Sequence, residues 1–244
     1  MSERITLTDL DEQMQEAVAD TRQRVAKLHA ELPRWGLVVW TAGNVSERVV
    51  VDRGDGPVKT DLFVIKPSGV SYDELTADTM VVCTLDGEKI DDGTPASLTP
   101  SSDTAAHAYV YRHRGDVGGV VHTHSPYATA WAARREPIPC ALTMMGDEFG
   151  GDIPIGPFAL IGDDSIGRGI VETLEGSRSP AVLMANHGPF TIGKDARDAV
   201  KAAVMCEEVA RTMSIAEQLG EVKPIPADMV DRLNDRYQHV YGQH

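Results

Sequence analysis

Apolar positions between residues 10 and 32 recur at helical spacing, at Met14, Val18, Val25 and Leu28, and predict a helix that Pro33 closes. The period then changes. Short runs at 36–40, 49–51, 62–65 and 80–84 are rich in β-branched and aromatic residues, and turn clusters at 52–57 and 85–88 separate them. They predict an antiparallel meander. A helix over 104–114, with Ser101, Ser102 and Asp103 at its start, leads into a strand over 118–124. Residues 164–174 read as a helix, and 181–185 as a buried strand running into Asn186, His187 and Gly188. The clearest helix spans 195–219, where Ala196, Ala199, Val200, Ala203, Cys206, Ala210 and Met213 form an apolar stripe and Gly220 is the stop. A last helix covers 226–237. No repeat, low-complexity tract or linker divides the chain, so one α/β or α+β domain is expected over residues 1–244.

Composition narrows the function. The 244 residues carry 23 Lys and Arg against 37 Asp and Glu, a formal charge of −14. Such a surface repels nucleic acid and anionic membrane, so neither is an expected partner. The N-terminal segment lacks the apolar core of a signal peptide, and no apolar run reaches the ~20 residues that span a bilayer. Cys83, Cys140 and Cys206 lie far apart in no metal or redox spacing, and read as reduced packing residues of a cytoplasmic protein.

The informative side chains are histidines. His122 and His124 flank Thr123 on a predicted strand, and alternation points both imidazoles to one face. Such a pair suits a metal or a shared anion, but equally two satisfied, half-buried histidines. His187, between a strand and a glycine, is a further candidate. Asp103 reads either as a helix N-cap or as a ligand; joined to the three imidazoles it would make a set suited to zinc or a neighbouring divalent transition metal. His107, one turn after Asp103, reads as a packing or supporting residue more than a rival ligand, and His29, His113 and His244 as packing residues without convergent polar partners. Residues 41–46, 66–69 and 100–102 combine Gly or Pro with small hydroxyl and amide side chains, and resemble anion cradles in which Lys66 supplies charge.

In this order, Gly43-Asn-Val-Ser46, Lys66-Pro-Ser-Gly69, Pro100-Ser-Ser-Asp103, His122-Thr-His124 and Asn186-His-Gly-Pro-Phe190 resemble the class II aldolase/adducin family over roughly residues 32–243. The resemblance implies a three-layer α/β/α domain with a central, mostly antiparallel sheet flanked by helices. It places an N-terminal helix at about 9–32 and a helical tail at about 226–244. It further implies a homotetramer whose active sites lie between neighbouring subunits. By resemblance, Asp103, His122, His124 and His187 are zinc ligands, and Gly43, Asn44, Lys66, Ser68, Gly69, Ser101 and Ser102 hold the phosphate of a sugar phosphate. The acid and base fall on Asp147, in a loop, and Tyr241, with Arg236 and His239 near the position of a further family histidine. Asp at 103, where sugar-phosphate aldolases carry Glu, and Lys at 66 lean toward the pentulose 5-phosphate 4-epimerases. That reaction, L-ribulose 5-phosphate to D-xylulose 5-phosphate, breaks and remakes the C3–C4 bond by retro-aldol chemistry with a metal as Lewis acid. The alternatives are a class II aldolase releasing dihydroxyacetone phosphate and an adducin-like module without catalysis.

Overall fold

Strands buried on both faces need helices above and below, and the chain supplies both. The computed structural model describes residues 5–240. Helices α1 (Glu12–His29) and α2 (Glu31–Arg34) precede the hairpin of β1 (Asn44–Asp52) and β2 (Pro57–Ile65), then β3 (Val81–Thr84) and α3 (Thr104–His113). Strand β4 (Gly119–His122) follows, then α4 (Pro126–Arg134), α5 (Thr143–Phe149), β5 (Ile155–Gly156), α6 (Ser165–Thr173), β6 (Ala181–Met184), β7 (Gly188–Gly193), α7 (Ala196–Leu219) and α8 (Ala227–His239). The strands form one sheet in the order β3-β2-β1-β4-β7-β6-β5. Its named pairs are antiparallel except β5 on β6.

Alternation along each strand sorts side chains into two cores. Phe63, Ile65, Val81, Cys83, Val120, Val182, Met184, Phe190 and Ile192 pack under α3 and α6. On the opposite face Leu62, Val64 and Val82 meet Val18 and Val25 of α1, and Val45 and Val121 meet Ala199, Val200 and Ala203 of α7. This is the expected α/β/α sandwich, and continuous apolar runs are its sequence mark. The chain entering α7 crosses β4 so closely that a Cβ at Gly119 would lie 2.3 Å from the Asp195 carbonyl oxygen, which requires glycine there.

Several local expectations differ from the structure. Residues 36–40 form a loop, not a strand: Gly36 and Trp40 have φ of 69° and 58°, and Val39 and Trp40 are exposed, so no ladder can run through them. Pro33 does not close the first helix; it lies in the first turn of α2, where its missing N–H costs nothing. Helices α4 and α5 and strands β5 and β7 have no counterpart among the elements that the apolar pattern predicts. In β7 the opening Gly188-Pro189 obscured a strand that Phe190 and Ile192 bury.

His29 likewise has partners the sequence did not reveal. The imidazole is 1% exposed; Nδ1–H donates to the Val25 carbonyl at 2.8 Å, and Nε2 accepts the Val45 amide at 2.9 Å. The last β1–β2 pair is Ser46 with Ile65, so the ring completes β1 where its neighbour ends. Burial lowers its pKa from 6.5 to about 3. The unfolded chain therefore binds this proton more readily: the stabilisation is complete above about pH 6.5 and drains as pH falls toward 3. In urea unfolding, the stability gap between wild type and His29→Gln is expected to narrow by roughly 1–2 kcal/mol between pH 7 and pH 5. A gap independent of pH would contradict this role.

Candidate active site

The histidines converge because of strand register. Asn44 pairs with His122 and His122 with Phe190, so three neighbouring strands present one row at one end of the sheet. His122 projects to the same side as Val120, under α3, and stacks on Phe190 with centroids 4.1 Å apart. Its Nδ1–H donates to the Pro189 carbonyl at 3.1 Å, which leaves Nε2 as a lone-pair nitrogen 3.0 Å from Nε2 of His124. Strand β4 ends at His122, yet the extended chain continues through Thr123, whose amide bonds the Pro189 carbonyl, and keeps both rings on one side. His187 arrives from the three-residue turn between β6 and β7. There Asn186 adopts φ of 57°, its side chain accepts from Arg135 Nε at 2.6 Å, and its amide bonds the Ala132 carbonyl.

Ring nitrogens of His122, His124 and His187 all lie within 4.8 Å of one another, a group able to hold a metal ion. Asp103 stands outside that group but beside it. It occupies the N-cap position of α3 without capping through its side chain. Oδ2 instead accepts from Asn44 Nδ2 at 2.7 Å, while Oδ1 is buried without a hydrogen-bond partner among the described residues, as is His187 Nε2. Buried lone pairs without donors are costly, and a cation relieves them. Burial lowers the pKa of His122 to about 3 and that of His124 and His187 below the usual value, so the rings are neutral and free to ligate near pH 7. Burial alone would raise the Asp103 carboxyl pKa; the positive charge of His122, His107 and His187 where those rings protonate, and the Asn44 amide bond, outweigh it and lower it. The donor set therefore fits a divalent transition metal.

A cleft of about 220 Å³ opens beside this group, lined by all seven residues expected to hold a phosphate, Gly43, Asn44, Lys66, Ser68, Gly69, Ser101 and Ser102, together with Asp103, His124 and His187. Two motifs distant in sequence are tied here by backbone bonds, Ser68 N to Thr99 O and Ser101 N to Lys66 O. Ser101 Oγ accepts from Asn44 Nδ2 at 3.0 Å, which fastens both motifs to β1. Lys66 is 2% exposed, donates to the Thr41 carbonyl at 3.1 Å, and lies 5.4 Å over the Tyr72 ring; burial lowers its pKa to about 8. Ile161, half exposed at the cleft, had no sequence signal. A larger groove of about 790 Å³ between α1, α2 and α7 carries no histidine and lies apart from this chemistry.

Asp147 is not brought to the cleft. It sits on α5 rather than in a loop, because Met145 and Phe149 of that segment form a buried helical pair. Its carbonyl accepts from Asn234 of α8 at 3.0 Å; burial raises its carboxyl pKa, with Arg236 opposing. Tyr241 lies outside the described residues.

The arrangement has relatives. Residues 23–214 match the family model of the class II aldolase and adducin N-terminal domain. The chain is 44% identical over 212 residues to the L-ribulose-5-phosphate 4-epimerase UlaF of Salmonella paratyphi C (strain RKS4594), covering 82% of this chain and 86% of that protein. It superposes on an L-fuculose 1-phosphate aldolase with a TM-score of 0.78 at 26% identity, covering 90% of this chain and 96% of the other. The L-fuculose-1-phosphate aldolase of Thermus thermophilus shares the fold, with a TM-score of 0.64 at 22% identity, over 86% of this chain and 100% of that one. The chain belongs to the class II aldolase and adducin family. Within it, the likeness is to enzymes of the epimerase and aldolase kind.

Cleft geometry depends on Gly43, whose φ is 81° and whose added Cβ would meet Val38 Cγ1 at 2.6 Å and the His122 carbonyl oxygen at 3.0 Å. Gly69, at φ of 70°, has open space around it. Gly69→Ala is therefore expected to cost about 1–2 kcal/mol of backbone strain, and Gly43→Ala roughly 1–3 kcal/mol more from overpacking. Equal unfolding midpoints for the two variants would refute the close approach at Gly43.

Proposed function

We propose that the protein is a zinc-dependent sugar-phosphate epimerase of the cytoplasm that interconverts L-ribulose 5-phosphate and D-xylulose 5-phosphate. The observation that carries this reading is the contact of two sites: three neutral, convergent imidazoles with Asp103 beside them, directly against a cleft lined by Lys66 and the small-residue motifs. The 44% identity to a relative named as this epimerase supports the substrate. In this reading Asp103, His122, His124 and His187 hold the metal. When bound, the metal supplies Lewis acidity to the substrate's C2 and C3 oxygens. Lys66, the serine hydroxyls and the backbone N–H groups near Gly43 and Gly69 hold the 5-phosphate. Because C4 carries no acidic proton, its inversion proceeds by cleavage of the C3–C4 bond, rotation of the resulting two-carbon aldehyde phosphate, and re-addition. Asp147 and Tyr241 exchange protons with the C4 oxygen on opposite faces, and burial that raises the Asp147 pKa suits a group that both takes and gives a proton. Asp147 lies apart from the cleft lining of its own chain, which supports its service to a neighbouring subunit in a homotetramer.

An aldolase releasing dihydroxyacetone phosphate is the second reading, favoured by the backbone match to the L-fuculose 1-phosphate aldolase. The orphaned buried atoms of Asp103 and His187 argue against a module without a metal site. Incubation of the zinc-loaded protein with L-ribulose 5-phosphate is expected to yield D-xylulose 5-phosphate by NMR. No conversion with zinc bound would refute the substrate, and net release of an aldehyde would favour the aldolase. A Lys66 pKa of about 8 adds a pH signature: charge on the phosphate ligand is lost above it. KM is expected to rise above about pH 8 in the wild type and to be high and flat with pH in Lys66→Met.

A further inference from the structure

Helix α4 begins two residues after His124, and its first turn is capped from a distance. Ser125 occupies the N-cap position but makes no side-chain bond to the helix; its buried hydroxyl accepts instead from Thr123 Oγ1 at 3.4 Å. Pro126 has no N–H to satisfy, which leaves the amides of Tyr127 and Ala128 as donors of the first turn. Glu207 of α7 accepts from both: Tyr127 N–H reaches Oε1 at 3.0 Å and Ala128 N–H reaches Oε2 at 2.9 Å. A carboxylate so placed meets the positive end of the helix dipole as well as its two orphan amides. Its neighbour Glu208, by contrast, pairs at the surface with Arg211 of its own helix.

Helix α4 also joins two of the histidine turns. Before its start the chain leaves the sheet through Thr123, and the His124 amide bonds the Leu37 carbonyl at 3.2 Å. Near its end the Ala132 carbonyl accepts the Asn186 amide at 2.9 Å, one residue before His187. A shift of the helix along its axis therefore moves both turns, and with them the spacing of the imidazoles. What sets the axial position is α7. Trp131 Nε1–H donates to the Ala210 carbonyl at 3.2 Å and to Ser214 Oγ at 3.0 Å, which holds the two helices side by side. Glu207 differs in acting on the backbone, at the end beside His124. At its own start the same helix crosses Gly119 of β4 against the Asp195 carbonyl. From Asp195 to Glu207 a straight helix spans about 18 Å, so one rigid element grips the chain on both sides of His122 and His124.

We infer that Glu207 is a positioning residue: by holding the Tyr127 and Ala128 amides it fixes α4 between the turns of His124 and His187, and so sets the metal affinity of the three imidazoles. The inference rests on the reading of these histidines as metal ligands. It gives Glu207 a part in the function although this residue lines neither the cleft nor the histidine group.

The test uses metal-free full-length protein and three measurements on each variant: zinc titration against a competing chelator, thermal unfolding, and amide hydrogen exchange. In Glu207→Ala, exchange at Tyr127 and Ala128 is expected to quicken about tenfold as their acceptors are lost. Zinc affinity is expected to fall about 10–100-fold in the same variant. Glu207→Gln, which keeps one acceptor, is expected to lie between it and wild type. Trp131→Phe loses the indole bonds of the same helix pair; it is expected to unfold at a lower temperature while zinc affinity stays within roughly threefold of wild type. Unchanged zinc affinity in Glu207→Ala overturns the inference, as does unchanged exchange at the two amides. Equal losses of zinc affinity in Glu207→Ala and Trp131→Phe would reduce Glu207 to general packing, and that result also overturns it. If Glu207→Ala does not fold, Glu207→Gln decides by the same criteria. Wild type that takes up no zinc would instead overturn the underlying metal reading and this inference with it; the two failures differ because the first leaves wild-type binding intact.

Discussion

Register between β1, β4 and β7 is the constraint on which the site depends. Strand side chains repeat every two residues, so a slip of one position would turn His122 toward α7 and bring Val121 under α3. It would also separate Asn44 from Asp103 and Ser46 from His107. What prevents the slip is burial on both faces. Val120 fits only the α3 side and Val121 only the α7 side, and the glycine at 119 must lie where the chain enters α7. The chemistry at the end of the sheet is thus positioned by apolar packing in its middle.

Desolvation sets the electrostatics of the site in a chain whose net charge is −14. It keeps the three convergent imidazoles uncharged and moves the buried Lys66 toward the range where it can give up its proton. Short-range hydrogen bonds and a single buried ammonium create an anion-friendly cleft that the global charge does not reach, since surface charges are screened beyond about 8–10 Å. Asn44 is central to this arrangement. One amide nitrogen donates to both Asp103 and Ser101, joining the carboxylate beside the histidines to the motif that lines the phosphate-sized cleft.

Much of this was legible in the sequence because the informative residues sit where periodicity is strong. His122 and His124 follow the two-residue alternation of β4, and the long α7 and its terminating Gly220 follow helical spacing. The cradle motifs could be recognised singly, but their adjacency comes from backbone bonds across 30 and more residues, which no local pattern encodes. His29 was opaque for a related reason: its partner, Val45, lies 16 residues away and is a main-chain amide. The stretch 36–40 is a loop despite its apolar composition because the backbone takes a positive φ at each end, which composition does not encode. The α3 stripe of Asp103, His107 and Tyr111 was present as an i, i+4, i+8 pattern; only the burial of all three distinguishes it from a solvated face.

The bond from Arg135 to Asn186 spans 51 residues and closes the neck of an excursion that holds α5, β5, α6 and β6. Asn186 precedes His187, so the turn that carries this histidine is fastened to the end of α4 from outside the cleft as well as by the sheet beneath it. The part of the excursion around α5 and α6 is thus separated from the histidine at its exit by β6 and by this bond. Insertions or losses near α6 can alter what surrounds the cleft, including Ile161, while the position of the imidazole stays fixed. The same fold can in this way vary its outer wall without disturbing its centre.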